Sequence, residues 1–305
     1  MDFNVSNNTT SCQSFSLIFS LDAISLRLVI QQRLLLAVHK GTNQVTVDDC
    51  VKQNFLYRLK HQSCVVYRCA IAFQLQKQCN LPPMKLAIEL ASLLYSNILQ
   101  NKSLNKREID ITATVVEPGW LDFAICDRTL ATWLDNLTES FANITCSHGK
   151  SQSQMDFNPF PLQYAHARCC SLLRLAAEQN LIKLKSEDFR QTVWQWLEPH
   201  KIPWLSQTQK LQLVHPKEKF LLCQLIDTID LLSGNSSENW YQVTRELSKA
   251  LLDFEASCRI FGQVKNETPL LAQARLGLIG VTQLLLQKLL TEFLGVDYGL
   301  LTVDG

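Results

Sequence analysis

The chain has 305 residues, is 47% hydrophobic and 19% charged, and carries a net charge of +1. That length and composition suit about two globular domains with sizeable cores. They exclude a protein that draws in nucleic acid through its overall field: residues 1–150 hold 14 Lys and Arg against 12 Asp and Glu, and the remainder 15 against 16, so any RNA contact rests on a local patch.

The polar segment 1–13 is expected to fray, and 14–38 reads as a first, amphipathic helix. Its apolar run from Phe15 to Val38 is broken by Asp22, Arg27, Gln31, Gln32 and Arg33. It falls short of the roughly 20 apolar residues of a membrane span and lacks the layout of a signal peptide, so no membrane partner is expected. Val45 to Arg58 reads as a loop or short strand, and Val65 to Gln76 as a strand entering a helix. Pro82 and Pro83 open a helix over Met84–Gln100, where Leu86, Leu90, Leu93, Leu94 and Ile98 recur at helical spacing. Ile109 to Val116 alternates and is β-branched, Pro118-Gly119 turns, and Trp120 to Ile125 is a second strand. Asp127 caps a helix through Leu137.

Residues 138–160, with Ser151-Gln152-Ser153-Gln154, His148-Gly149-Lys150 and Asn158-Pro159, have little apolar period and read as a linker. Helices are expected beyond it near 161–179, 187–198, 216–232, 239–261 and 268–294. In the last of these, Leu271, Arg275, Leu278, Val281, Leu285, Leu289 and Phe293 mark one face. The expected fold class is therefore an α+β N-terminal domain over 1–137, a linker over 138–160 and an all-α helical bundle over 161–305, mostly α overall.

There are 11 cysteines and no C-x-x-C pair. Most, such as Cys169, Cys223 and Cys258, lie in apolar runs, which fits buried free thiols in a reducing cytosol and not a disulfide framework. A cytoplasmic protein is expected. No G-x-S-x-G elbow or H-E-x-x-H pair occurs. His148-Gly149-Lys150-Ser151 ends like a phosphate loop, but position 144 is Ile where that motif needs Gly. His166 and Cys169 alone make no zinc site. No catalytic residue, cofactor or metal is expected.

The stretch richest in recognition chemistry runs from Phe160 through Pro161-Leu162-Gln163-Tyr164-Ala165-His166-Ala167-Arg168 to Arg174. Tyr164 and Arg168 are four residues apart and share a helix face, with Leu172 and Leu175 read as continuing it. A ring beside a guanidinium suits stacking on an unpaired base and pairing with a phosphate. The same residues suit packing, with Tyr164 and His166 as satisfied core groups and Arg168 as a brace. Together with Ala272-Gln273-Ala274-Arg275-Leu276-Gly277-Leu278, and with Leu213-Val214-His215-Pro216-Lys217-Glu218-Lys219, this text resembles the DALR anticodon-binding module of arginyl-tRNA synthetases. The resemblance spans about Pro161 to Asp297. The tail from Asp297 to Gly305 departs from the family's Pro-x-x-Met-like ending.

A second resemblance lies upstream. Val116-Glu117-Pro118-Gly119-Trp120-Leu121-Asp122-Phe123 is similar to the strand-turn-strand of the accessory domain of the same synthetases, where an aromatic residue meets the tRNA corner. Trp120 takes the aromatic position, while Asp122 stands where the family has an amide. A carboxylate accepts hydrogen bonds but repels phosphate, so the contact is expected to be lost or changed. Trp120 and Phe123 serve equally as sheet core. The resemblance implies tRNA, or another structured RNA, as partner, with contacts at Trp120, Tyr164, His166, Arg168, Arg174 and Arg275. Neither an H-I-G-H-like turn nor a K-M-S-K-S-like loop occurs, and 138–160 stands where the catalytic core would be inserted. The expected function is a non-catalytic tRNA-binding relative. The near-neutral charge also suits a protein-interaction module that kept the fold. A third reading has another chain supplying the catalytic core.

Overall fold

The computed structural model describes residues 25–41, 55–60, 64–101, 111–143, 157–185, 196–234 and 238–297. The segments expected to fray at 1–13 and to start the first helix at 14–24, and the tail from 298 onward, lie outside them, as does most of the linker. The chain divides into two compact units, Met1–Thr132 and Trp133–Gly305.

The first unit contains α1 (Leu26–Gly41), β1 (Leu56–Arg58), β2 (Val66–Cys69), α2 (Ile71–Cys79), α3 (Pro83–Asn101), β3 (Ile111–Val116), β4 (Trp120–Ile125) and the start of α4 (Asp127–Asn143). The strands form one antiparallel sheet in the order β1-β2-β4-β3. Strand alternation sorts its faces: Leu121, Phe123 and Ile125 are buried, while Trp120, Asp122 and Ala124 point the other way and are only part-buried. The apolar row Leu26, Ile30, Leu34, Ala37 and Val38 of α1 is buried, and α1 packs on α3. Gly119 closes the β3–β4 hairpin at φ +145°, where a Cβ would lie 2.7 Å from Pro83 Cβ and 2.8 Å from its carbonyl carbon. Both the backbone angle and the approach of the first turn of α3 require glycine there.

In the second unit, α5 (Phe160–Glu178), α6 (Pro216–Leu232), α7 (Trp240–Ser257) and α9 (Pro269–Lys288, continuing as a π turn Leu289–Phe293) form the bundle, with a short α8 (Gln263–Glu267) between α7 and α9. Helix α9 packs on α5, α6 and α7. It is buried almost all round, at Ala272, Ala274, Leu276, Leu278, Ile279, Val281, Leu285 and Leu286 among others, which makes it the central helix and not a one-faced surface helix. The segment Pro269–Phe293 is long and apolar enough to cross a membrane, yet 67% of its most apolar window is buried within the protein, the pattern of a core helix. Gly277 lets the chain approach: a Cβ there would lie 2.6 Å from Trp204 and 2.7 Å from Ile202. Trp204 is itself buried, and its indole N–H donates to Asp135 at 2.8 Å.

Three expectations change. The second half is not purely helical. Trp196–Glu198, expected at the end of a helix, is a strand (β6) paired antiparallel with Lys183–Leu184 (β5). Trp and Leu there favour a strand, and Pro199 directly afterwards opposes helix. The rest of that expected helix, 187–195, lies outside the described residues. Helix α4 runs on to Asn143, beyond Leu137. Helix α7 stops at Ser257, because Cys258 takes an extended conformation.

Candidate nucleic-acid interface

Helix α5 carries the site, and its two faces differ. Leu162, Ala165, His166, Cys169, Leu172, Leu173 and Ala176 are buried. The outer face presents Phe160, 55% exposed, and Tyr164, 47% exposed, then Arg168, whose side chain is 41% exposed. The helix start is fixed by Pro161 in its first turn and by Asn158, whose side chain accepts from the Phe160 N–H at 3.0 Å. The Phe160 and Tyr164 rings lie nearly parallel, 24° apart with centroids separated by 6.5 Å. Arg168 Nε donates to Glu255 Oε1 of α7 at 2.7 Å, so its guanidinium is held in place while part of it faces solvent. Leu175 continues this face, but Leu172 is buried, a quarter-turn off it.

The other sequence candidates of the bundle sit elsewhere. His166 is 4% exposed. The Gln283 amide donates to its Nε2 at 2.9 Å, and burial lowers its pKa to about 4. It is therefore a neutral ring at physiological pH, with no cation to offer a phosphate. Arg275 Nε donates to Glu218 Oε1 at 2.6 Å, with side chains 11% and 0% exposed, and its Nη1 donates to the Arg259 carbonyl. The same Glu218 accepts from the His215 N–H at 2.7 Å. His215 is the N-cap of α6, its Nδ1 accepting from the Lys217 N–H at 3.2 Å. Arg275 thus ties α9 to the capping box of α6. His166 and Arg275 act inside the bundle, not at the surface the resemblance implied. Arg174 is part-buried and acts on the buried Cys170, whose thiol it pulls down against the stronger upward push of burial.

In the first unit, Trp120 is part-buried. Phe73 lies at 4.8 Å, tilted by 56°, and the Arg68 guanidinium carbon lies 5.8 Å from the indole centroid. Arg68 and Asp122 are directly opposed in the β2–β4 register and form a bidentate pair, both bonds 2.7 Å. The carboxylate expected to repel phosphate is therefore matched by a cation. Exposed Tyr57 opposes Arg68 from β1, and exposed Thr114 opposes Asp122 from β3.

The buried thiols Cys69, Cys169 and Cys170 are poor nucleophiles. Burial raises Cys69 to about 12 and Cys170 to about 11, and pushes Cys169 well above its ordinary range; the thiolate, the reactive form, is scarce at neutral pH. Among the described residues no group of three His, Cys, Asp or Glu side chains could hold a metal ion.

Sequence reasoning missed Phe160, Arg68, Glu255 and the Glu218–His215 cap. Phe160 was within reach, because Phe160, Tyr164 and Arg168 are each four apart. The capping box was also present as His215-Pro216-Lys217-Glu218. The Arg68–Asp122 and Arg168–Glu255 pairs have no local signal, since their partners are far apart in the chain.

Residues 162–298 match the DALR anticodon binding domain. The chain is 32% identical over 140 residues to an arginine–tRNA ligase of Synechococcus sp. (strain JA-3-3Ab), covering 45% of this chain and 21% of that protein. It is 31% identical over 153 residues to an arginine–tRNA ligase of Gloeobacter violaceus, covering 48% and 23%. The match spans less than a quarter of either relative. No solved structure matches significantly. The C-terminal part of the chain is arginyl-tRNA synthetase-like.

Proposed function

We propose, from the premise that the C-terminal part of this chain is arginyl-tRNA synthetase-like, that the protein binds tRNA without carrying out aminoacylation. The observation that carries the reading is the outer face of α5, where Tyr164 and Arg168 stand side by side, accessible and within the matched domain. A ring and a fixed guanidinium are the groups that hold unpaired bases of a structured RNA. The bundle takes the anticodon arm. The first unit takes a second part of the same RNA around Trp120, where Arg68 offsets Asp122. Two modest sites on one molecule reinforce each other through effective concentration.

The non-catalytic part of the reading is supported by the sequence between the two resemblances. Residues 138–160 are all that stand where a synthetase core would be inserted, and no H-I-G-H-like or K-M-S-K-S-like text occurs in the chain. The site is assigned no cofactor.

The test is binding of the purified protein to total tRNA across a salt series, beside an arginylation assay. The reading expects salt-sensitive binding, weakened by Arg168→Ala and by Trp120→Ala, with no arginyl-tRNA formed. Arginylation by this chain alone would overturn the non-catalytic assignment; absence of binding at low salt would overturn the RNA assignment.

One observation favours a protein partner as a second reading. Val214 and Phe220 are exposed near the start of α6, and Lys217 beside them is paired with Asp253 at 2.8 Å, leaving a surface of apolar side chains and balanced charge.

A further inference from the structure

Two solvent-facing cysteines stand at matching ends of neighbouring strands in the first unit. Among the described cysteines, Cys64 and Cys126 are the exposed ones; the others are buried or part-buried. Cys64 lies just before β2, and Cys126 directly follows β4. The antiparallel register of these strands pairs Arg68 with Asp122 and Val66 with Ala124. Beyond that last pair, the Ile125 N–H donates to the Val65 carbonyl at 2.9 Å, which carries the same register one residue further. The next two residues in line are Cys64 and Cys126.

An antiparallel ladder alternates between pairs that share backbone hydrogen bonds and pairs that do not. Val65 and Ile125 share one, so Cys64 and Cys126 fall in the second class, with Val66–Ala124 and Arg68–Asp122. In that class the Cα atoms lie about 4.5 Å apart and the side chains come closest. A disulfide spans Cα separations of about 4.4 to about 6.8 Å. The row shows its own reach, because Arg68 and Asp122, in the same class and on the same face, meet side chain to side chain at 2.7 Å. The Cys126 sulfur lies 3.3 Å from the Thr129 hydroxyl, a weak contact that a covalent partner can replace.

We propose that Cys64 and Cys126 form a reversible cross-strand disulfide when the chain meets a disulfide oxidant. One protein thiolate attacks the S–S bond of the oxidant, forming a mixed disulfide and releasing one oxidant thiol. The other protein thiolate then attacks the protein sulfur of that mixed disulfide and displaces the second. Two electrons pass from the protein sulfurs to the oxidant, and the two protein thiol protons end on its two released thiols. The bond clips the start of β2 to the end of β4, where the chain enters α4. The inference does not rest on the tRNA-binding reading.

The test equilibrates the full chain in glutathione buffers of graded oxidised-to-reduced ratio, blocks the remaining thiols by alkylation and maps the links by mass spectrometry without reduction. Trypsin releases the two cysteines in separate peptides, 61–68 and 108–128, each with a single cysteine, so their link is read directly. The expected result is this pair joined within one chain and reopened by dithiothreitol. Its oxidation constant should be at least about tenfold larger in the native chain than in denaturing urea, because a bond that fits the fold also stabilises it. The urea midpoint of the oxidised chain should accordingly rise above that of the reduced chain, and Cys64→Ser or Cys126→Ser should each remove the rise. Both cysteines are exposed, so the reduced variants should unfold at the midpoint of the reduced natural protein. Separate glutathione adducts on the two cysteines, links to other cysteines or between chains, or equal oxidation constants in the native and unfolded chain would each overturn the proposal.

Discussion

Two arginines of the bundle show how burial divides its work. Arg275 and Arg168 each bond to a glutamate. Arg275 meets Glu218 in a corner where both side chains are almost sealed from water, and the same carboxylate caps α6. Arg168 meets Glu255 on the outer face of α5, beside two exposed rings. The first pair is costly to break because it would strand a charge inside the protein; the second is screened and contributes little to stability. A resemblance in sequence marks both arginines alike. Only their surroundings separate the one that holds the helices together from the one available to a ligand.

The sharpest way to test that division is to remove each arginine. Arg275→Ala leaves Glu218 buried without its cation and should cost on the order of 3–5 kcal/mol, measured by urea unfolding. A loss under 1 kcal/mol would show that the corner relaxes to admit water and that the contrast is false. Next in size is the effect of pH on His166. Burial holds the folded ring at a pKa of about 4, against an ordinary 6.5, so as pH falls the unfolded chain takes up the proton first. The stability linked to this ring is complete above about pH 6.5 and is lost between 6.5 and 4, on the order of 3 kcal/mol in all. His166→Gln should flatten that part of the stability–pH curve; an unchanged slope would place the ring in contact with water.

Gly277→Ala should destabilise by about 1–3 kcal/mol, because the new methyl meets Trp204 and Ile202 well inside contact distance. Helix propensity alone predicts a gain of up to about 1 kcal/mol, so the sign of the change in Tm decides whether packing wins. The smallest expected effect on stability is that of Arg168→Ala, about 0–1 kcal/mol. Its effect on RNA binding is expected to be the larger of the two.

Much of this was legible in the sequence. The Leu86–Leu90–Leu94 spacing located α3, the alternation of Ile109–Val116 followed by the turn at Pro118-Gly119 located the hairpin, and the helices expected near 216–232 and 268–294 begin at Pro216 and Pro269. Local pattern suffices where an element's own residues decide its conformation. It failed at Trp196–Glu198, where pairing with Lys183–Leu184 decides. It also could not separate His166 from Tyr164, two residues apart on one helix: which of them faces water depends on where α9 packs. The outer face of α5 stood half in view, since the Phe160-to-Arg168 spacing is local but the Glu255 that pairs with Arg168 lies on α7.

The measurement closest to the central claim is the affinity of the full chain for a labelled tRNA pool, taken with the unfolding free energy of the same samples, for the natural protein and for Arg168→Ala. The account predicts salt-sensitive tRNA binding that falls roughly tenfold in the variant, while the unfolding free energy stays within about 1 kcal/mol. No tRNA binding by the natural protein, or equal binding by the variant, would contradict it.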